Sequence, residues 1–219
     1  QVSKYDGDIL LFTDFDKDIP ELSSLKVNRL VVSPGSIDDP RNFRIYMHKY
    51  YDFSQHERIV YMDFDILVMK KLDDVFKKIQ KDRVFYCYAP KMPWDNWDAF
   101  GANDYIAKYG QAPVVKISPT GICSGVFGIS SKYLLKLLKK WAKVLDKTAS
   151  QNDQHAFNEL LVKGGYPCKP FPNEWFEYPL QKPDARELRS KHHFIFYHYN
   201  PVSNPMKLKH MAADLNEEV

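Results

Sequence analysis

Short apolar runs punctuate the chain, and between several of them apolar positions fall at helical spacing. Ile9-Leu10-Leu11-Phe12-Thr13 reads as a strand ending at Asp14, and Leu30-Val31-Val32, stopped by Pro34-Gly35, reads as a second. Residues 42–53 carry apolar and aromatic groups at mixed spacing and are expected to form a Tyr-rich helix. Arg58-Ile59-Val60-Tyr61-Met62 is continuous enough to be a buried strand. It stops abruptly at Asp63-Phe64-Asp65, and Ile66-Leu67-Val68 follows.

Downstream the pattern predicts a helix over 72–79, a strand over 84–89 and a loop-rich stretch over 90–119 holding Trp94 and Trp97. Val126-Phe127-Gly128-Ile129 reads as a strand. Leu134, Leu135, Leu137, Leu138 and Leu145, with lysines between them, mark an amphipathic helix over 132–145. A further helix over 153–162 is halted by Gly164-Gly165. Phe194-Ile195-Phe196-Tyr197 is the last strand, directly before His198, and the polar tail after about His210 is expected to fray. Strands alternating with helices predict an α/β sandwich around a mostly parallel sheet flanked by helices. No linker-like segment divides the chain, so residues 1–219 read as one domain, whole or trimmed from a longer protein.

Composition narrows the classes. A chain of 219 residues can bury a sizeable core without staples. No apolar run approaches the roughly 18 residues of a membrane span. No signal peptide is visible, and Gln1 is not a start methionine, which leaves a trimmed chain as one reading. The three cysteines, Cys87, Cys123 and Cys168, form neither a zinc pattern nor a dense disulfide framework, which points to a reducing compartment and a cytoplasmic location. A net charge of +3 is too mild to imply nucleic acid, but it suits an anionic substrate. Aromatic residues make up 15% of the chain; such rings serve either a plain core or stacking on sugars, and Trp94, Trp97 and Trp175 are the candidates for the latter.

The sharpest chemical feature is Asp63-Phe64-Asp65. Carboxylates two apart on an extended strand point to the same side. They follow an apolar strand, at the end of which open α/β sheets bind ligands. Such a pair repels itself unless a cation intervenes, and hard oxygens suit Mg²⁺ or Mn²⁺ carrying substrate phosphates. The bland reading is a solvated turn. His198 ends another apolar strand; it is either a structural hydrogen-bonding residue or the imidazole that completes a Mn²⁺ set, in which case it must be neutral and activity should fall as pH drops through roughly 6. Asn152-Asp153-Gln154 opens a predicted helix, where Asn or Asp commonly serves as an N-cap. Thr120-Gly121-Ile122-Cys123-Ser124-Gly125 places two glycines before a strand, either as a turn or as backbone lying against a sugar.

Together these segments resemble nucleotide-sugar glycosyltransferases of the GT-A fold, most of all the glycogenin and bacterial galactosyltransferase group called family 8. Glu57 to Val68 is similar to their metal-binding strand, Cys123-Ser124-Gly125-Val126-Phe127 to their Asn-Ser-Gly-Val strand, Asn152-Asp153-Gln154 to their Asp-Gln helix start, and Tyr197-His198-Tyr199 to their late metal-ligand His. The resemblance runs over about residues 8–207. It implies a metal-dependent transfer of a sugar, of the hexosyl type, from a UDP-sugar to a carbohydrate or other hydroxyl acceptor, with no nucleic-acid partner and no integral membrane segment. Asp63, Asp65 and His198 would hold Mn²⁺ or Mg²⁺. Asp153 would lie near the anomeric carbon, and Gln154 would contact the sugar. Arg44, or in its place Arg41 or Lys49, would contact the donor, alongside Phe64, Cys123, Ser124, Gly125 and Lys207. Cys123 replaces the family's Asn, and the family's Gly-x-x-Lys-Pro-Trp after the His is altered here. The strand at Ile9 matches the family's second strand better than its first, which normally cradles the base. A catalytically silent carbohydrate- or partner-binding domain, and an unrelated metal-dependent phosphotransferase, are the alternatives.

Overall fold

The computed structural model describes residues 5, 7–14, 17, 20, 27–32, 42–89, 102–111, 121–148, 151–177, 195–199 and 204–216. The chain begins with β1 (Ile9–Thr13) and β2 (Val27–Val31), which pair in parallel as a separate two-stranded sheet. Next come α1 (Phe43–Tyr46) and a 3-10 turn, Met47–Lys49. β3 (Arg58–Met62), β4 (Ile66–Val68), α2 (Asp73–Lys78), β5 (Phe85–Tyr88) and α3 (Ala102–Tyr109) follow, and then β6 (Cys123–Ser130), α4 (Ser131–Leu145) and α5 (Asp153–Val162). The chain closes with β7 (Cys168–Pro170), β8 (Phe176–Glu177), β9 (Phe196–His198) and α6 (Asn204–Asn216).

The expectation of a mostly parallel sheet is corrected. The larger sheet runs β3-β6-β5-β7, and the smaller runs β4-β9-β8. Central β6 is antiparallel to both β3 and β5, and β4 is antiparallel to β9; β5 with β7 and β8 with β9 are parallel. Strand direction depends on how each connection returns, which periodicity along one strand does not record.

All eight residues of β6 are buried, so it is the spine of the fold. Gly128 makes room there: a Cβ would lie 2.5 Å from Ile79 Cδ1 and 3.0 Å from Phe171, so both buried side chains would have to shift. On one face of this sheet Trp141 of α4 packs against Phe157 of α5 and edge-on to Phe127 of β6, at centroid distances of 4.4 and 6.2 Å. Leu134, Leu137, Leu138 and Leu145 join them, which is the apolar stripe the leucine spacing predicts. Each such side chain contributes about 1.5–3 kcal/mol by leaving water. A second core, built from Ile79, Tyr86, Phe171, Phe176 and Phe196, ties the two sheets together.

Four further expectations are revised. The Tyr-rich helix over 42–53 is one α turn and a 3-10 turn, because Asp52 accepts the Ser54 N–H and restarts the chain as a second 3-10 turn at Phe53–Gln55. Residues 102–109, inside the stretch read as loop, are helical, while Trp94 and Trp97 lie outside the described residues. The short strands β7 and β8 were too brief to register as patterns. Finally, the tail is helical to Asn216 rather than frayed; Met211 buries against Tyr197, Tyr199 and Met69, which anchors it.

Candidate active site

β3 delivers its last residues to the turn that carries the paired acids. Tyr61 and Asp63 lie two apart, and the Tyr61 hydroxyl donates to Asp63 Oδ1 at 2.8 Å. The Tyr61 ring is held by stacking on Phe127, with centroids 4.9 Å apart. The Asp63 N–H donates to the Gly125 carbonyl at 2.8 Å, locking the turn to the start of β6. A Cβ at Gly125 would stand 2.9 Å from Asp63 Oδ2 and would push that carboxylate aside.

Arg44, on α1, is the centre of the cluster. Its Nη1 lies 3.2 Å from Asp63 Oδ2 and donates to Ser124 Oγ at 3.2 Å. Its Nε lies 2.8 Å from Asp153 Oδ2, and the guanidinium sits 5.3 Å from the Tyr61 ring centroid. Burial alone would disfavour the charge on Arg44, but Tyr61, Asp63 and Asp153 outweigh it and raise its pKa further. For Asp63 burial prevails and pushes the carboxyl up, against the pull of Arg44 and Tyr61. Lys49 is exposed, its ammonium 4.6 Å from the Tyr46 ring centroid, and Arg41 lies outside the described residues.

Asp153 is the first residue of α5, and the N-cap is its neighbour. Asn152 accepts from the N–H groups of Gln154 and His155, which leaves the buried Asp153 carboxylate to face Arg44. The Asp153 carbonyl accepts from Trp141 Nε1 at 2.7 Å, so the helix start is bolted to the core. Gln154 Oε1 accepts from the Ser124 N–H at 3.2 Å. Asn158, one turn on, bonds both polar groups of the Ile122 backbone and the Gln154 carbonyl, registering α5 against the approach to β6.

Asp65 has different partners. It lies in a turn rather than on an extended strand, so the two-residue spacing does not by itself set its direction relative to Asp63. Asp65 Oδ2 accepts from Lys207 of α6 at 2.5 Å, and Oδ1 lies 3.5 Å from His198 Nε2. The Ile66↔His198 register of β4 and β9, and the Tyr199 N–H on the Asp65 carbonyl at 3.0 Å, fix this approach. Burial opposes the charge on Asp65, but His198 and Lys207 prevail and bring its pKa down to about 2. His198 moves the other way: burial opposes its charge, yet Asp65 and Cys123 push it up to about 10. A metal held by His198 would have to displace that proton, since the imidazole must be neutral to coordinate. Phe64, between the two acids, is 66% exposed, with the Lys207 ammonium 5.7 Å from its ring centroid.

The structure thus gathers Arg44, Asp63, Ser124, Gly125, Asp153 and Gln154 in one cluster, and Asp65, His198 and Lys207 in an adjoining one that Cys123 borders. Among the described residues, no three His, Cys, Asp or Glu side chains converge closely enough to hold a metal ion. The donor chemistry nonetheless suits one. Two carboxylates and an imidazole are a Mn²⁺-type set. Asp65 Oδ1 is buried and meets His198 Nε2 only at the long distance of 3.5 Å, so a cation would satisfy it better. Trp175 packs on Phe171 at a centroid distance of 5.7 Å. Sequence reasoning overlooked Tyr61 and Trp141. Tyr61 was legible as the one hydroxyl in an apolar strand, two residues from an acid; Trp141 read only as core.

Residues 55–211 match the profile of the nucleotide-diphospho-sugar transferase family, well over half of the chain. The chain belongs to that family. Arg44 lies outside the matched segment. Among solved structures, the transferase-family chain is similar to the galactosyltransferase LgtC in complex with donor and acceptor sugar analogs, at 15% identity and TM-score 0.53, covering 82% of this chain and 68% of that one. It is also similar to the bifunctional glycosyltransferase WbbM, at 11% identity and TM-score 0.55, covering 84% of this chain and 37% of that one. Mouse xyloside xylosyltransferase 1 aligns at 15% identity and TM-score 0.49, and the chain spans 65% of its length. At these identities the likeness shows a GT-A-like fold. No curated protein matches the chain, and no helix among the described residues is long and apolar enough to cross a membrane.

Proposed function

We propose that this transferase-family chain moves a sugar, of the hexosyl type, from a UDP-sugar to a carbohydrate or other hydroxyl acceptor in a metal-dependent reaction, within a single domain over residues 1–219. One observation carries the reading: a single guanidinium, Arg44, contacts both Asp63 beside the sheet and Asp153 at the head of α5. Two acids far apart in sequence are thereby drawn to one point, next to a backbone stretch, Ser124-Gly125, that is free of bulk.

Asp63, Asp65 and His198 are the residues that would hold Mn²⁺ or Mg²⁺; when bound, such an ion neutralises charge on the leaving nucleoside diphosphate. Arg44 fixes the Asp153 carboxylate in place. That negative charge stabilises positive charge developing at the anomeric carbon. Gln154, Ser124, Gly125 and Cys123 form the wall against the donor, and Phe64 offers an exposed ring to it. Lys207 adds positive charge on the phosphate side. Calorimetry with UDP and Mn²⁺, followed by assay of donor hydrolysis, tests the proposal. Tight metal-dependent binding with turnover supports it, whereas UDP binding without any turnover would make the chain a silent carbohydrate- or partner-binding domain.

A further inference from the structure

Away from the transferase site, two cysteines face each other inside the fold. Cys87 is on β5 and Cys168 on β7, neighbours in a parallel ladder, and their sulfurs are 3.1 Å apart. Both are buried in the core beneath α4 and α5, with free thiols in this structure. The register pairs Phe85 with Cys168 and Cys87 with Pro170, so Cys87 and Cys168 lie diagonally on one face of the sheet. The sulfurs stand about an ångström beyond the bond length of about 2.05 Å, and bond formation draws β5 and β7 together at this point. Cys123, the remaining thiol, lies at the transferase site and is not part of this contact.

We propose that Cys87 and Cys168 form a disulfide when the chain folds in the presence of a small-molecule disulfide oxidant. The exchange balances. Cys168, on the edge strand β7, attacks the oxidant as a thiolate and expels one small thiol, leaving a mixed disulfide. Cys87 then attacks the Cys168 sulfur and expels the second thiol. The two protein thiols lose two electrons and two protons in all, and the oxidant is reduced to two thiols. Once β7 is docked, burial raises the Cys87 thiol well above its ordinary pKa, so the chemistry belongs to folding rather than to the finished protein.

The bond has a clear structural effect. Cys87 and Cys168 are 81 residues apart, and the loop between them holds α3, β6, α4 and α5. A cross-link across a loop of that length restricts the unfolded chain strongly. It also pins β7, which leads into β8, the parallel partner of β9 and hence of His198. Cells in which the bond persists would have to supply an oxidising compartment, a different setting from the one the cysteine count alone suggests.

The test refolds the full chain with a mixture of reduced and oxidised glutathione, then denatures it with excess maleimide and no reductant. Intact mass should show one maleimide, and peptide mapping should place it on Cys123 and link the peptides of Cys87 and Cys168. Prior reduction should restore three maleimides. A folded wild-type chain that takes up three, or that links Cys123 to either partner, overturns the proposal. The Cys87→Ala variant should take up two, and its melting temperature should fall below wild type only without reductant; a deficit that persists unchanged under reductant would be a packing loss and would count against the bond. Should that variant fail to fold, the wild-type chain melted with and without reductant decides, since an unchanged melt contradicts a closed loop.

Discussion

The Lys207 ammonium lies 2.5 Å from Asp65 Oδ2, so a side chain of the last helix supplies a cation to the second acid of the pair. His198 supplies another from β9. Asp65 therefore has a structural duty that a bare turn acid does not. Asp65→Asn should destabilise the metal-free chain by about 3 kcal/mol, because it leaves two buried cations without their counter-charge. Asp63→Asn, on a partly open carboxylate, should melt close to wild type. Both should abolish Mn²⁺-dependent UDP binding. Thermal melts beside calorimetry separate the two effects, and unchanged metal-dependent binding in both variants would remove the metal from the mechanism.

His198 gives a pH signature of defined sign. Its folded pKa is pushed up to about 10, so its stabilising contribution is complete below about pH 6.5 and fades as pH rises toward 10. A metal ligand must be neutral, so at pH 7.5 the ion has to expel a proton. Mn²⁺ binding should release close to one proton there, and affinity should rise with pH. Calorimetry in buffers of different ionisation enthalpy counts that proton. In His198→Gln it should vanish, and if it survives at full size then some other group is titrating.

For Asp153 the cap and the charge separate cleanly, because Asn152 does the capping. Asp153→Asn and Asp153→Ala should therefore both keep α5, at a cost of about 2 kcal/mol for the lost hydrogen bond to a buried charge. Transfer should fall at least roughly a hundredfold in each, about 2.7 kcal/mol at the barrier, with UDP affinity near normal. Rapid transfer by Asp153→Asn would move the catalytic carboxylate elsewhere.

Glu159 tests the scaffold rather than the chemistry. Its carboxylate accepts from the Tyr109 hydroxyl at 2.6 Å and pairs with Lys163 at 2.8 Å and Lys108 at 3.2 Å, joining α3 to α5. Burial opposes its charge, yet Lys163, Tyr109 and Lys108 lower its pKa. The stabilisation is then present above the ordinary carboxylate range and lost as pH falls through the folded pKa. Glu159→Gln should cost about 1 kcal/mol at pH 7, given partly exposed lysines, and the gap from wild type should close as the solution is acidified below about pH 4. A gap that stays constant down to pH 3 would show that shape, not charge, joins the helices.

Much of this was legible beforehand, and the residues say why. α4 and α5 announce themselves because their apolar spacing reports burial directly, whereas β3, read as a buried strand, is half-buried along its whole length. That Arg44, Asp63 and Asp153 belong to one site was expected only through family likeness, since no local pattern links positions so distant, and that Arg44 pairs with both acids was not expected. What stayed hidden depends on partners. Trp141 looks like one more core ring until its indole N–H is seen on the Asp153 carbonyl. The tail looks too polar to order, because Lys207 and Met211 find their places only once Asp65 and Tyr199 exist. The antiparallel course of β6 follows from its connections and not from its own eight residues.

Arg44 stands eleven positions ahead of the segment that matches the family, residues 55–211. A recombinant fragment cut at that boundary would carry Asp63 and Asp153 with no cation between them, and Asn42, whose amide holds the Gln151 carbonyl at 3.1 Å, would be gone as well. Like charges would then face one another in a partly dry cleft. For protein engineering, the smallest useful piece starts no later than residue 42, and chimaeras that swap catalytic halves must carry α1 along with the half that bears α5.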